Sequence, residues 1–116
     1  MSTQTILKPK GIVVIADYRE KEVIRFLRDM GTKVVEKDLE VGDFICSKRI
    51  VIERKSHNDF VSSILDGRIF RQAKKLVENF EKVVMIVEGF SNRRINENCL
   101  SGAIATLITN FGISLI

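Results

Sequence analysis

Gly42-Asp43 and, ten residues on, Glu53 followed by Lys55 are the residues of this chain whose types and spacing could do chemistry. Side chains two apart on a strand point to the same face, so in a strand over 50–55 Glu53 and Lys55 stand side by side with Val51. Ile50, Ile52 and Arg54 then face the other way. A carboxylate and an ammonium that interrupt an apolar strand cost free energy unless they are paired or put to use. Mg²⁺ takes oxygen ligands, keeps several waters, and is commonly held by one or two carboxylates together with substrate phosphate oxygens. Asp43 and Glu53 meet that need. A nearby lysine such as Lys55 can orient an attacking water or stabilise charge growing on the phosphate. Metal-assisted phosphodiester hydrolysis is thus the chemistry in view. A carboxylate-x-Lys tripeptide alone is more often a solvated ion pair. Gly42-Asp43, one strand earlier and between apolar segments of suitable length, weighs against that.

The grouping rests on a hairpin. With Ser47, Lys48 and Arg49 as a three-residue loop, position 43 lies opposite 53 and the two side chains share a face. A two-residue loop would break the site, because a one-residue change of register moves every side chain to the opposite face; a bulge could restore it.

The elements that must hold this hairpin are legible as apolar patterns. Ile12 to Ile15 form a continuous apolar run, which predicts a central strand over 11–16 covered on both faces. Residues 20–30 predict an amphipathic helix with Val23, Phe26, Leu27 and Met30 on its apolar side and Gly31 as its stop. Strands are expected over 32–37, 42–47 and 50–55. Helices follow over 56–65, ended by Gly67, and over 68–80, with Ile69, Ala73, Leu76 and Phe80 inward. A fully apolar strand covers 83–87. The last helix carries Leu100, Ala103, Ile104, Leu107, Ile108 and Phe111, so much apolar surface that it is expected to be buried or to meet a partner. The run from Ile113 to Ile116 reads as a strand cut off at or near its end, as in a domain excised from a longer chain. Strands interleaved with helices give an α/β class, a mixed sheet between helices. No phosphate-binding glycine loop joins the first strand to its helix, which excludes a dinucleotide-binding or P-loop reading.

The chain has 116 residues, 45% hydrophobic and 29% charged, with one proline: a single globular domain, expected over 11–116 after a flexible polar segment over 1–10. The net charge of +4 permits a polyanionic partner without requiring one. Cys46 and Cys99, far apart and without CxxC spacing, suit a reduced intracellular setting as small core residues. No apolar run is long enough to span a bilayer, and no membrane partner is expected.

Several residues admit two roles. Asp17 and Glu20 have the spacing of a helix N-cap and its reciprocal partner, as do Ser56 and Asp59. Arg68, Arg71 and Lys75 could form a basic helix face that contacts phosphates without reading sequence, or a solvated face. Arg93 and Arg94 are weaker candidates. His57, the one histidine, is expected exposed at a helix start, not catalytic.

Gly42-Asp43, Glu53-Arg54-Lys55 and Asp59 together resemble the signature of XPF/Hef-type structure-specific endonucleases. Asp17-Tyr18-Arg19-Glu20 is similar to that family's acidic–arginine element after the first strand, and Gly67-Arg68 to its Gly-Arg pair. The resemblance covers nearly the whole chain. It implies a restriction-endonuclease-like core with Asp43, Glu53 and Lys55 at the catalytic centre, Arg54 counted with them, and Asp17 as a further metal-linked carboxylate. Arg19, Glu20, Asp59 and Arg68 become supporting residues. The implied activity is Mg²⁺- or Mn²⁺-dependent cutting of branched DNA at flaps, forks or nicked junctions by a homodimer paired through the C-terminal helix region. A non-cutting DNA-binding or dimerisation module is the alternative.

Overall fold

A computed structural model describes residues 13–116, and the expectations for the segment 1–10 and for Gly11 and Ile12 lie outside them. Its six strands are β1 (Val13–Asp17), β2 (Lys33–Lys37), β3 (Phe44–Ile45), β4 (Ile50–Ser56), β5 (Lys82–Glu88) and β6 (Ser114–Leu115). Four helices accompany them: α1 (Lys21–Asp29), α2 (His57–Leu65), α3 (Arg68–Asn79) and α4 (Glu97–Thr109). The strands make one sheet in the order β2-β1-β3-β4-β5-β6. β1 runs parallel to β2 and antiparallel to β3, β3 runs antiparallel to β4, and β4, β5 and β6 are mutually parallel. This is the expected mixed sheet flanked by helices.

Alternation along β4 and β5 divides the core in two. Val51, Val83 and Met85 turn to one face and pack with Phe60 and Ile64 of α2, Ile69, Ala73 and Leu76 of α3, and Ala103 and Leu107 of α4. On the other face α1 places Ile24 against Ala16, Val34 and Phe44, with Val14, Val23, Leu27 and Ile52 around them. Burying side chains of this kind stabilises by roughly 1.5–3 kcal/mol each relative to exposure.

Where local pattern competes with tertiary packing, the outcome differs from expectation. In α1 the inward residue is Ile24, while Phe26 and Met30 are 68% and 69% exposed. The apolar arc of that helix is wider than the strip of sheet it covers. β3 is two residues long instead of six, because Gly42 takes φ +82° and the Asp43 N–H donates to the Ile52 carbonyl, ending the regular ladder. α4 buries only Ala103 and Leu107, and leaves Ile108 47% exposed. Cys46 is half-buried and Cys99 exposed, so neither is the core residue expected. The Asp17–Glu20 capping pair does not form: Glu20 is the N-cap of α1 and makes no side-chain cap. Ser56, in contrast, accepts from the Asp59 N–H and caps α2. His57 is half-buried, with Nδ1 2.6 Å from Ser91 Oγ. The terminal apolar run does pair, as β6 beside β5.

Candidate active site

The hairpin has the register its chemistry needs. Phe44 pairs with Ile52 and Ile45 with Val51, which leaves Ser47, Lys48 and Arg49 as the loop, and Asp43, just beyond the ladder with its N–H on the Ile52 carbonyl, lines one cavity with Glu53. The Cys46 N–H donates to the Ile50 carbonyl at 3.0 Å and closes it. Gly42 makes the approach to Asp43 geometrically feasible. Its positive φ is strained for any side chain, and a Cβ there would overlap Val51 Cγ2.

Asp43 is fixed from three sides. Its N–H donates to Ile52, its carbonyl accepts from the Asp17 N–H at 2.8 Å, and its Oδ2 accepts from the Arg54 backbone N–H at 2.7 Å. Asp17, Asp43 and Glu53 line one cavity of about 280 Å³ with Arg19, Gln72 and Lys75. Burial pushes the Asp43 carboxyl up, with the Asp17 charge acting the same way and the Arg54 N–H opposing. Glu53 is pushed up to about 7, first by burial and then by the charge of Asp43, against the pull of Lys55. A buried acid pushed up by the charge of a neighbouring carboxylate is one that a divalent cation would relieve.

No group of three Asp, Glu, His or Cys among the described residues is arranged to hold a metal ion. Mg²⁺ keeps several waters and is commonly held by one or two carboxylates, the number Asp43 and Glu53 supply. Asp17 is buried in the same cavity, but Oδ1 accepts from the Leu39 N–H at 3.0 Å and Oδ2 from the Arg19 N–H at 3.2 Å.

Lys55 follows Glu53 on the same face and is 4% exposed. Its Nζ donates to Asp59 Oδ2 at 2.7 Å, and Asp59 Oδ1 accepts from Arg68 Nη2 at 3.1 Å. The Lys55 hydrogen bond holds the Asp59 carboxyl below the usual range. A buried ammonium without such a partner would be costly. Arg54 lies on the opposite face, as its strand position requires. Its Nη1 donates to Glu20 Oε2 at 2.7 Å, and Nε and Nη2 grip both oxygens of Glu88. The guanidinium therefore stays out of the carboxylate cavity, although the backbone N–H of the same residue holds Asp43.

The structure thus gathers Asp17, Asp43 and Glu53, sets Arg19 and Lys75 at their cavity, and joins Lys55, Asp59 and Arg68 in a chain beside them. Arg71 is exposed and does not line the cavity. Arg93 and Arg94 sit exposed in a loop. Sequence reasoning missed Gln72 and Glu88. Gln72 could have been found from its place on one helix stripe with Arg68 and Lys75. Glu88 pairs across 34 positions and gave no local signal.

Residues 16–116 match the family described as the ERCC4 domain. A Methanocaldococcus jannaschii protein whose name describes an ATP-dependent RNA helicase is 46% identical over 107 residues, covering 92% of this chain and 14% of that protein. The 3′-flap repair endonuclease Xpf of Saccharolobus solfataricus is 37% identical over 90 residues, 74% of this chain and 39% of that one. The chain therefore spans well under half of either relative. Among solved structures, XPF from Aeropyrum pernix in complex with DNA superposes with a TM-score of 0.82 at 40% identity, covering 90% of this chain and 55% of that one. The fold is restriction-endonuclease-like.

Proposed function

Because this chain belongs to the ERCC4 domain family, we propose that it is a nuclease domain that hydrolyses phosphodiester bonds in branched DNA, at flaps, forks or nicked junctions, in repair or stalled-fork processing inside the cell. The observation that carries this reading is that Asp43 and Glu53 line one cavity at the hairpin, with Lys55 on the same face of β4 as Glu53. The relatives named as DNA repair endonucleases, and the DNA complex of a structural neighbour, support the substrate class.

In the proposed reaction Asp43 and Glu53 hold Mg²⁺ or Mn²⁺. When bound, such a cation polarises the phosphate and makes water a better nucleophile at neutral pH. Asp17 acts through its charge on Asp43 as a metal-linked carboxylate. Lys55, aimed by Asp59, supplies a fixed positive charge beside the scissile phosphate, where preorganised charge is most effective. Arg68 steadies Asp59, and Arg54 with Glu20 ties the start of α1 to the end of β4. Arg19 and Lys75 at the cavity, with Arg71 on the outer side of α3, supply sequence-independent phosphate contacts. A homodimer paired through the C-terminal helix region fits the exposed Ile108 of α4 and Ile116 beyond β6.

Labelled flap, fork, four-way junction and plain duplex DNA, incubated with Mg²⁺, Mn²⁺ or EDTA and mapped for cut position, test the proposal. Cation-dependent cuts near the branch are expected. Absence of cutting on every substrate, with binding retained, would favour a DNA-binding module.

A further inference from the structure

Helix α3 turns one polar stripe toward the site. Arg68, Gln72 and Lys75 fall at i, i+4 and i+7, one side of a helix. Arg68 reaches Asp59. Gln72 and Lys75 line the carboxylate cavity. Two polar atoms of this stripe, Gln72 Oε1 and Arg68 Nε, are shielded from bulk solvent and meet no hydrogen-bond partner among the described residues. A buried carbonyl oxygen left unpaired costs free energy comparable to a lost hydrogen bond, so such a group calls for a partner.

The chemistry of the cavity narrows what that partner is. Asp17, Asp43 and Glu53 are acceptor-only when ionised. A DNA phosphodiester brings oxygen acceptors and no donor. Two acceptors do not pair, so neither cation-bound carboxylates nor the scissile phosphate can satisfy Gln72 Oε1, and no cationic donor of the cavity or the stripe, Arg19, Lys75 or Arg68, bonds it among the described residues. Water can, and a hard cation on two carboxylates brings several waters with it. A cavity of about 280 Å³ has room for them, since a water occupies roughly 30 Å³.

We infer that Gln72 is a positioning residue of this site, its Oε1 accepting a hydrogen bond from water in the hydration shell of the divalent cation. The inference rests on the metal-site reading above. It gives the α3 wall a role distinct from phosphate contact: Lys75 meets the DNA backbone, and Gln72 orders the water between cation and helix. Groups that hold a metal's outer shell typically change metal affinity or activity by roughly 10–100-fold when removed.

Gln72→Met keeps the length of the side chain and removes its polar atoms, while Gln72→Glu keeps an acceptor. Mn²⁺ is titrated calorimetrically into each 116-residue chain without DNA, and kcat and KM are measured on flap DNA. Gln72→Met should bind Mn²⁺ at least about tenfold more weakly and lose kcat with little change in KM or in melting temperature. Gln72→Glu should bind Mn²⁺ as tightly as the unaltered chain or more so. Unchanged Mn²⁺ affinity in Gln72→Met would overturn the inference. A loss in Gln72→Glu as large as in Gln72→Met would do the same, since it would make the amide N–H₂ the working group. Failure of the unaltered chain itself to bind Mn²⁺ would overturn the metal-site reading along with it.

Discussion

Lys55 and Asp59 show how a single residue pair carries both stability and chemistry. The ammonium is buried and the carboxylate is its hydrogen-bonded partner, so Asp59→Asn leaves a buried charge poorly compensated. We expect that variant to lose about 1–3 kcal/mol in urea unfolding and to lower kcat while leaving KM for DNA nearly unchanged. Equal losses from Asp59→Asn and from Asp66→Asn, whose side chain lies outside this pair, would contradict the assignment. Glu53 gives a prediction with a definite sign. In EDTA its folded pKa is about 7 against an ordinary 4.5, so the folded chain binds the extra proton. The resulting stability is complete below the ordinary value and is lost as pH rises through 7. Metal-free Glu53→Gln should therefore melt higher than the unaltered chain at pH 8, with the difference closing below pH 5. Saturating Mn²⁺ should stabilise the unaltered chain more than the variant. A pH-independent difference in EDTA would refute this account of the carboxylate pair. At this scale, Asp43, Glu53 and Lys55 were legible in the sequence because strand alternation and loop length act locally. Glu88 was not, because its partner Arg54 lies 34 positions away, while Gln72 had a local signal in its helix stripe with Arg68 and Lys75.

The decisive element is the β3–β4 hairpin. Its register was readable in advance from the number of residues available for the turn, and the pairing of Phe44 with Ile52 agrees with it. The way the hairpin holds Asp43 was less visible. Gly42 takes a backbone conformation costly for other residues, directly over Val51. Gly42→Ala combines that strain with overpacking, and should cost about 2–4 kcal/mol in urea unfolding. It should also weaken Mn²⁺ binding, because Asp43 is the next residue. Gly31, whose Cβ would meet nothing, is the control: Gly31→Ala keeps the strain without the overlap and should cost less. Equal costs at the two positions would remove the overlap from the explanation. Helix boundaries were legible to within a residue or two, as for α3, because apolar period and terminal glycine agree there. The inward face of α1 was not. Four apolar residues, Val23, Phe26, Leu27 and Met30, satisfy helical spacing equally well, and only the width of the sheet beneath selects Val23 and Leu27, with Ile24 as the buried one.

For the molecule as a whole, the two faces of the sheet have different tasks. One packs against α2, α3 and α4, and opens at the ends of β1, β3 and β4 into the carboxylate cavity. The other holds α1 and the Arg54 clamp that joins Glu20 to Glu88. Among the described residues no helix is long and apolar enough to cross a membrane. The apolar richness of α4 was evident from the sequence, but whether it meant burial or a partner was not. Ala103 and Leu107 are buried, Leu100, Ile104 and Phe111 pack against the same core, and Ile108 is left exposed for the partner proposed above. Light scattering should accordingly find Ile108→Glu shifted toward monomer, with dimer affinity weakened about tenfold or more, and an unchanged mass distribution would place any dimer contact elsewhere. The claim on which everything else depends is that Asp43 and Glu53 hold the cation with which Lys55 cuts DNA. Single-turnover cleavage of a labelled flap duplex in Mg²⁺ by the unaltered chain, Asp43→Asn and Lys55→Ala tests it most directly. Cleavage by the unaltered chain that EDTA abolishes, and a loss of at least about a hundredfold in both variants with flap binding largely retained, is the predicted result. Undiminished cutting by both variants would contradict it.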